Sequence, residues 1–138
     1  MHSNTSLFTR RLFGHSAAVG YWPLEGEPSP NTLPLKSTVL IPSDASSDPL
    51  KIARELSIRF LDKNVCVYVP GTAFDVHGTR HGRGGGWYDR FLVSVPSEWM
   101  RVGVCFENDF SQSPLKRELW DQPVDWVCVQ KASGADYP

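Results

Sequence analysis

Apolar residues along this chain gather in short runs whose spacing changes from one run to the next. "AAVGYW" (17–22) and "STVLI" (37–41) read as strands, separated by the turn-rich "PLEGEPSPNTLP". Between Asp48 and Lys63 the spacing becomes helical: Ile52, Ala53, Leu56 and Phe60 share one face, Asp48 caps, and Pro49 suits the first turn. "VCVYV" (65–69) is apolar without alternation, the pattern of a strand buried on both faces, and it stops at Pro70. "GWYDRFLVSV" (86–95) predicts a short helix halted before Pro96. "RVGVCF" (101–106) and "PVDWVCVQ" (123–130) predict two more strands.

Strands alternating with helices predict an α/β fold with a mostly parallel sheet flanked by helices and joined by right-handed crossovers. A chain of 138 residues, 41% hydrophobic and 21% charged, holds one core, so a single domain over 1–138 is expected, with 131–138 as a flexible tail. A net charge of -1 and a pI near 6.4 supply no general basic field, so nucleic acid is not an expected partner and any basic site must be local. No apolar run approaches the ~20 residues that span a bilayer, and the start of the chain lacks a signal-peptide core. The expectation is a soluble, cytoplasmic protein without a membrane partner. Cys66, Cys105 and Cys128 each lie within an apolar run and share no metal-ligand spacing. They read as buried thiols with no chemistry.

One stretch departs from this economy. "VPGTAFDVHGTRHGRGGGWYDRFL" (69–92) places six glycines, three arginines and two histidines between a strand and a helix. Glycine loses more backbone freedom on folding than other residues, so a cluster of it calls for a reason. The stretch falls where a parallel sheet binds ligands, beyond the carboxyl end of a strand and ahead of a helix. Gly82, Gly84, Gly85 and Gly86 run into that helix, whose free N–H groups and positive dipole end favour phosphate. Arg80 and Arg83 can add bidentate donors. It is neither a Walker loop nor a dinucleotide fingerprint. Taken alone, the segment reads as a phosphate cradle no more and no less readily than as the alternatives, a mobile surface loop or a nucleic-acid contact.

The whole string is similar to the signature of the 5-formyltetrahydrofolate cyclo-ligase family, in which an apolar strand leads into PG..AFD..G.R.G.G.G.YDR. "VGVCFENDF" followed by "LWDQPVDWVCVQ" resembles that family's closing strand and its D..VD.V element, and "GYWPLEGEPSP" resembles its early Y.P...E segment. The resemblance implies a cyclo-ligase-like fold and an ATP- and magnesium-dependent conversion of 5-formyltetrahydrofolate to 5,10-methenyltetrahydrofolate. It implies an ATP-binding loop of Arg80, Gly82, Arg83, Gly84, Gly85, Gly86, Trp87 and Tyr88, with Arg83 and Tyr88 in catalytic roles. Asp89 and Asp125 match magnesium ligands, and Trp22 and Glu27 match folate contacts. Without the resemblance, Asp89 is a first-turn acidic residue at a helix N-terminus, Asp125 is open between two roles, and Glu27 is a solvated turn residue.

The chain also departs from the pattern. His81 replaces a leucine, and Trp87-Tyr88 replaces paired tyrosines. His77 and His81 read as solvated loop residues. The family's N-terminal helix with its basic ATP contacts is expected to be mostly missing, with only Arg10 and Arg11 in its place, and the segment between Glu27 and Val65 is short. The nucleotide half of the site is therefore expected to outlast the folate half, with Trp22, Trp87 and Trp99 as aromatic contributors. The partners are a reduced folate and ATP, in a monomer or homodimer. The competing reading is a non-catalytic module for a nucleotide, a phosphorylated ligand or RNA.

Overall fold

A computed structural model describes residues 5–42 and 46–131. Nine residues, Thr5–Phe13, form helix α1. Strands β1 (Ala17–Tyr21), β2 (Val39–Ile41) and β3 (Val65–Val69) follow, with α2 (Pro49–Arg59) between the last two. β4 (Ala73–Asp75) and β5 (Arg80–His81) precede α3 (Trp87–Ser94), then come β6 (Met100–Phe106), β7 (Phe110–Ser111) and β8 (Trp126–Gln130). The main sheet has the order β2-β1-β3-β6-β8 and every pairing in it is parallel. The expected α/β architecture with a mostly parallel sheet is the observed one.

The reason lies in β3. Val65, Val67 and Val69 face one core, shared with Ala53, Leu56 and Phe60 near α2 and with Trp87, Phe91 and Leu92 of α3. Cys66 and Tyr68 face the other, shared with Phe8 and Leu12 of α1. Successive side chains of a strand point to opposite faces, so a central strand between two helical layers must be apolar throughout. α2 begins as its sequence predicts, with Asp48 accepting from the N–H groups of Leu50 and Lys51 and Pro49 in the first turn.

Two expectations are corrected. The N-terminal segment does form a helix, α1, which buries Phe8 and Leu12 against the sheet. The 70–86 segment is no open loop. β4 pairs antiparallel with β5 and parallel with β7 in a three-stranded sheet, with β4 central. Most of the anticipated tail, from residue 132 onward, lies outside the described residues. None of the described helices is long and apolar enough to cross a membrane.

Candidate active site

The chain leaves β3 at Pro70, passes through the small sheet, and returns over the carboxyl end of the main sheet as the glycine loop. Gly84, Gly85 and Gly86 have φ of 94°, 77° and 66°, a left-handed run that side-chain-bearing residues adopt only at a cost. Gly86 is the N-cap of α3 and offers no side-chain cap, and the first turn of the helix borders the cleft. The cleft has a volume of about 480 Å³. Its walls are the glycine loop, Pro70 to Thr72 after β3, Leu24 and Glu27 after β1, and Trp120 and Asp121 from the segment leading to β8.

Arg80 forms the cationic floor. Its Nε donates to Pro70 O at 2.6 Å, and its guanidinium lies 4.9 Å from the centre of the Tyr88 ring. Among the described residues it forms no ion pair. Desolvation lowers its pKa, opposed by the nearby Tyr88, Asp89, Glu27 and Asp121, yet a guanidinium stays charged in proteins. A desolvated, permanently charged donor facing a cleft is a strong attractor for an anion. A Cβ on Gly82 would stand 2.8 Å from Arg80 Nη2, so a side chain there would push the guanidinium aside.

Arg83 and Glu27 meet across the cleft. Arg83 Nε donates to Glu27 Oε2 at 3.4 Å, and Arg83 Nη2 donates to Glu25 O at 3.2 Å. Glu27 Oε1 accepts from Leu24 N at 2.8 Å, so its carboxylate is fixed from two sides. Beyond Glu27 a second groove of about 750 Å³ opens, with Phe8, Leu33, Val127 and Val129 in its walls.

Beneath the loop, Asp75 is fully buried. It accepts from the N–H groups of His77 and Thr79 on its own turn and from Leu115 N, 40 residues on. Burial pushes its pKa up, but these N–H donors and the Thr79 hydroxyl outweigh it and hold the carboxyl below its ordinary value. Arg117 donates to Thr79 Oγ1 and His77 O, and Val124 N donates to Gly78 O. The base of the glycine loop is thus bonded to residues 115–124.

Asp89 and Asp121 both line the cleft, each with one carboxylate oxygen committed to a backbone N–H: Asp89 Oδ1 to Gln122 N at 2.9 Å, Asp121 Oδ2 to Glu118 N at 2.8 Å. Asp125 stands elsewhere. Its Oδ2 accepts from Arg101 N at 2.8 Å beside the first residues of β6 and β8, at the amino edge of the sheet. The expected convergence of Asp89 with Asp125 does not occur, and the carboxylate that accompanies Asp89 is Asp121. Asp121 lies within the "LWDQPVDW" stretch, but spacing alone does not say which aspartate reaches which edge.

Other expected residues divide in the same way. Trp22 is exposed and does not line the cleft. Trp99 is buried at the opposite edge against Phe60. Trp87 and Tyr88 reach the cleft wall, but their rings belong to the core: Trp87 stacks on Phe91 at 5.4 Å and its Nε1 donates to Ser47 O. His81 lines the cleft with its Nε2 2.7 Å from Lys116 O, whereas His77 is exposed as expected. Arg11 lies near Trp126 and Asp125 at the amino edge, away from the glycine loop. The cysteines are free, and burial pushes the Cys66 and Cys105 thiols up to about 12, which suits inert core residues.

A mostly parallel sheet flanked by helices, with a glycine-arginine loop, carboxylates and a cleft at its carboxyl edge, defines an α/β protein with a candidate ligand site at the usual place for such sheets. The chain belongs to the 5-formyltetrahydrofolate cyclo-ligase family, whose model matches residues 46–130. A 5-formyltetrahydrofolate cyclo-ligase of Mycoplasma genitalium is 26% identical over 85 residues, which cover 55% of this chain and 50% of that protein. The chain spans about half the length of the curated relatives it matches. The fold is similar to that of a 5,10-methenyltetrahydrofolate synthetase from Mycoplasma pneumoniae, with a TM-score of 0.54, 13% identity, and coverage of 91% of this chain and 89% of that one. It is also similar to the NMR structure of the Aquifex aeolicus 5,10-methenyltetrahydrofolate synthetase, with a TM-score of 0.53, 24% identity, and coverage of 91% and 72%.

Proposed function

We propose that this chain catalyses the ATP- and magnesium-dependent closure of 5-formyltetrahydrofolate to 5,10-methenyltetrahydrofolate. The observation that carries the reading is the meeting of Arg80, the glycine loop, Asp89 and Glu27 in one cleft, although Glu27 comes from a segment far from the others in sequence. The formyl oxygen of the substrate is a poor leaving group. Transfer of the γ-phosphoryl group of ATP to that oxygen, with ADP leaving, makes it a good one, and the neighbouring amine of the folate then attacks the activated carbon and expels phosphate.

Phosphoryl transfer asks the protein for position and charge more than for covalent help. Arg80, Arg83 and the N–H groups of residues 82–86 would hold the phosphates and offset the charge that builds up on the transferring oxygens. Two carboxylates with one oxygen each left over, together with ligand phosphates and water, form the donor set that magnesium prefers. Asp89 and Asp121 would hold it, and when bound it supplies neutralising charge to the phosphate oxygens. Glu27 faces the folate, and the apolar groove beyond it offers the surface that a ligand of this size must bury.

The test is the absorbance of methenyl product when the protein is mixed with 5-formyltetrahydrofolate, ATP and magnesium. Product that requires all three components is expected. Binding of ATP with no product under any condition would overturn the enzymatic reading in favour of a nucleotide-binding module.

A further inference from the structure

The cleft has one aromatic ring to spare. Trp87 and Tyr88, adjacent to the glycine loop in sequence, are 7% and 4% exposed, and their faces are taken by Phe91 and by the Arg80 guanidinium. Trp120 lines the same cleft and is 67% exposed. Its position is set by the backbone around it. Asp121 N donates to Glu118 O at 3.1 Å, Asp121 Oδ2 takes the Glu118 N–H, and Gln122 N is held by Asp89 Oδ1. Trp120 therefore sits on a turn closed on both sides and tied to the first turn of α3. On its other side a groove shared with Gly85, Gly86 and Asp89 continues past Arg90 and Val93. An indole held on a braced turn, wet on its faces, beside a cation-lined phosphate cradle, has the layout of a stacking platform.

We propose that Trp120 is the platform on which the planar heteroaromatic ring of the cleft's ligand stacks, purine or pterin, while the glycine loop holds phosphate. The assignment rests on the cyclo-ligase reading for which rings are offered, and on the geometry of the turn for the contact itself. Stacking on a tryptophan requires a ring and is indifferent to phosphate. A Trp120→Ala variant thus loses affinity only for the ligand whose ring it covers, and Trp120→Phe keeps most of it. Because the side chain is exposed, both variants retain the wild-type melting temperature.

The experiment is calorimetric titration of wild type, Trp120→Ala and Trp120→Phe with ATP, inorganic tripolyphosphate and 5-formyltetrahydrofolate, beside the methenyl assay on wild type. Trp120→Ala is expected to bind one ring-bearing ligand about 5- to 150-fold more weakly, the range that stacking of a base on an aromatic side chain carries, with tripolyphosphate unchanged. Loss for ATP identifies the purine and loss for the folate assigns the platform to a ring of the folate. Unchanged affinity for both rings overturns the platform, as does equal weakening of tripolyphosphate, which would make Trp120 a brace for Asp121. Wild type that binds neither ring overturns it too. Ring-selective loss with no methenyl product removes the cyclo-ligase reading and leaves the platform standing. Product formation with no ring-selective loss does the reverse.

Discussion

Arg83 Nε lies 3.4 Å from Glu27 Oε2, joining residues 56 apart in sequence across the mouth of the cleft. Arg83 is half-exposed whereas the Glu27 carboxylate is nearly buried, so the pair orients the acid more than it stabilises the fold. One of the two loop arginines is therefore partly engaged before any ligand arrives, and of the two Arg80 is the one without an ion pair among the described residues.

This ranks the two arginines. Arg80→Ala is expected to weaken ATP binding more than Arg83→Ala, which itself costs about tenfold, since hydrogen bonds to charged groups contribute about 1.5–3 kcal/mol. Arg83→Ala leaves stability within about 1 kcal/mol of wild type, as exposed pairs do. Calorimetry with ATP and thermal melts read both quantities, and the opposite ranking would contradict the role given to Arg80.

The two aspartates of "DQPVD" separate by edge. Asp121→Asn is expected to raise the magnesium concentration needed for half-maximal turnover by about tenfold or more, as Asp89→Asn does. Asp125→Asn is expected to leave that concentration unchanged and to lower stability by about 1 kcal/mol, because its carboxylate serves the backbone of Arg101. A magnesium titration of turnover across the three variants checks the division.

Asp75 is the acid whose charge the fold depends on. Its pKa is held below the ordinary 3.8 when folded, so its contribution is fully present above that value and is lost as pH falls through the folded pKa. Wild-type stability should therefore decline below about pH 4, and Asp75→Asn should flatten that part of the curve. At neutral pH the same variant is expected to lose about 1–3 kcal/mol, since an amide NH₂ turned toward Leu115 N would set donor against donor. Urea melts from pH 2.5 to 7 would show both effects.

Gly103 lies under Phe74, and an added Cβ would stand 2.3 Å from the ring. Phe74 is fully buried and central in the small sheet, so it has nowhere to retreat. Gly103→Ala is expected to cost about 1–3 kcal/mol, the scale of overpacking, and to weaken ATP binding because the ring supports the strand below the glycine loop. A melting temperature equal to wild type would show that the two sheets are less tightly joined than their contact suggests.

The main sheet was legible because its central strands are short apolar runs without alternation: Val65–Val69 announces a strand covered on both sides, with Val65, Val67 and Val69 in one core and Cys66 and Tyr68 in the other. α3 was legible because Trp87, Tyr88, Phe91 and Leu92 form one stripe, and that stripe is also why Trp87 turns to the core and not to the ligand. β4, β5 and β7 were not legible. They have two or three residues each, and contacts such as Asp75 to Leu115 have no local signature. α1 was missed because its sequence is short and basic, and its buried pair Phe8 and Leu12 acquires meaning once the sheet exists to receive it. Asp121 and Asp125 differ by four residues, roughly 13 Å of extended chain, enough to carry one to the cleft and the other toward the far edge.

The bonds from Asp75 to Leu115 and from Gly78 to Val124 also bear on how the molecule comes into being. During synthesis the glycine loop emerges well before its supports do, and chains fold as their segments become available. A nascent chain halted near residue 110 would own the whole glycine loop and still lack Trp120, Asp121 and the anchors of Asp75 and Gly78. Competence to hold a ligand thus arrives late and all together, when the last strand pairs with β6. Until then the nascent chain carries its glycine-arginine loop without the cleft that Trp120 and Asp121 complete.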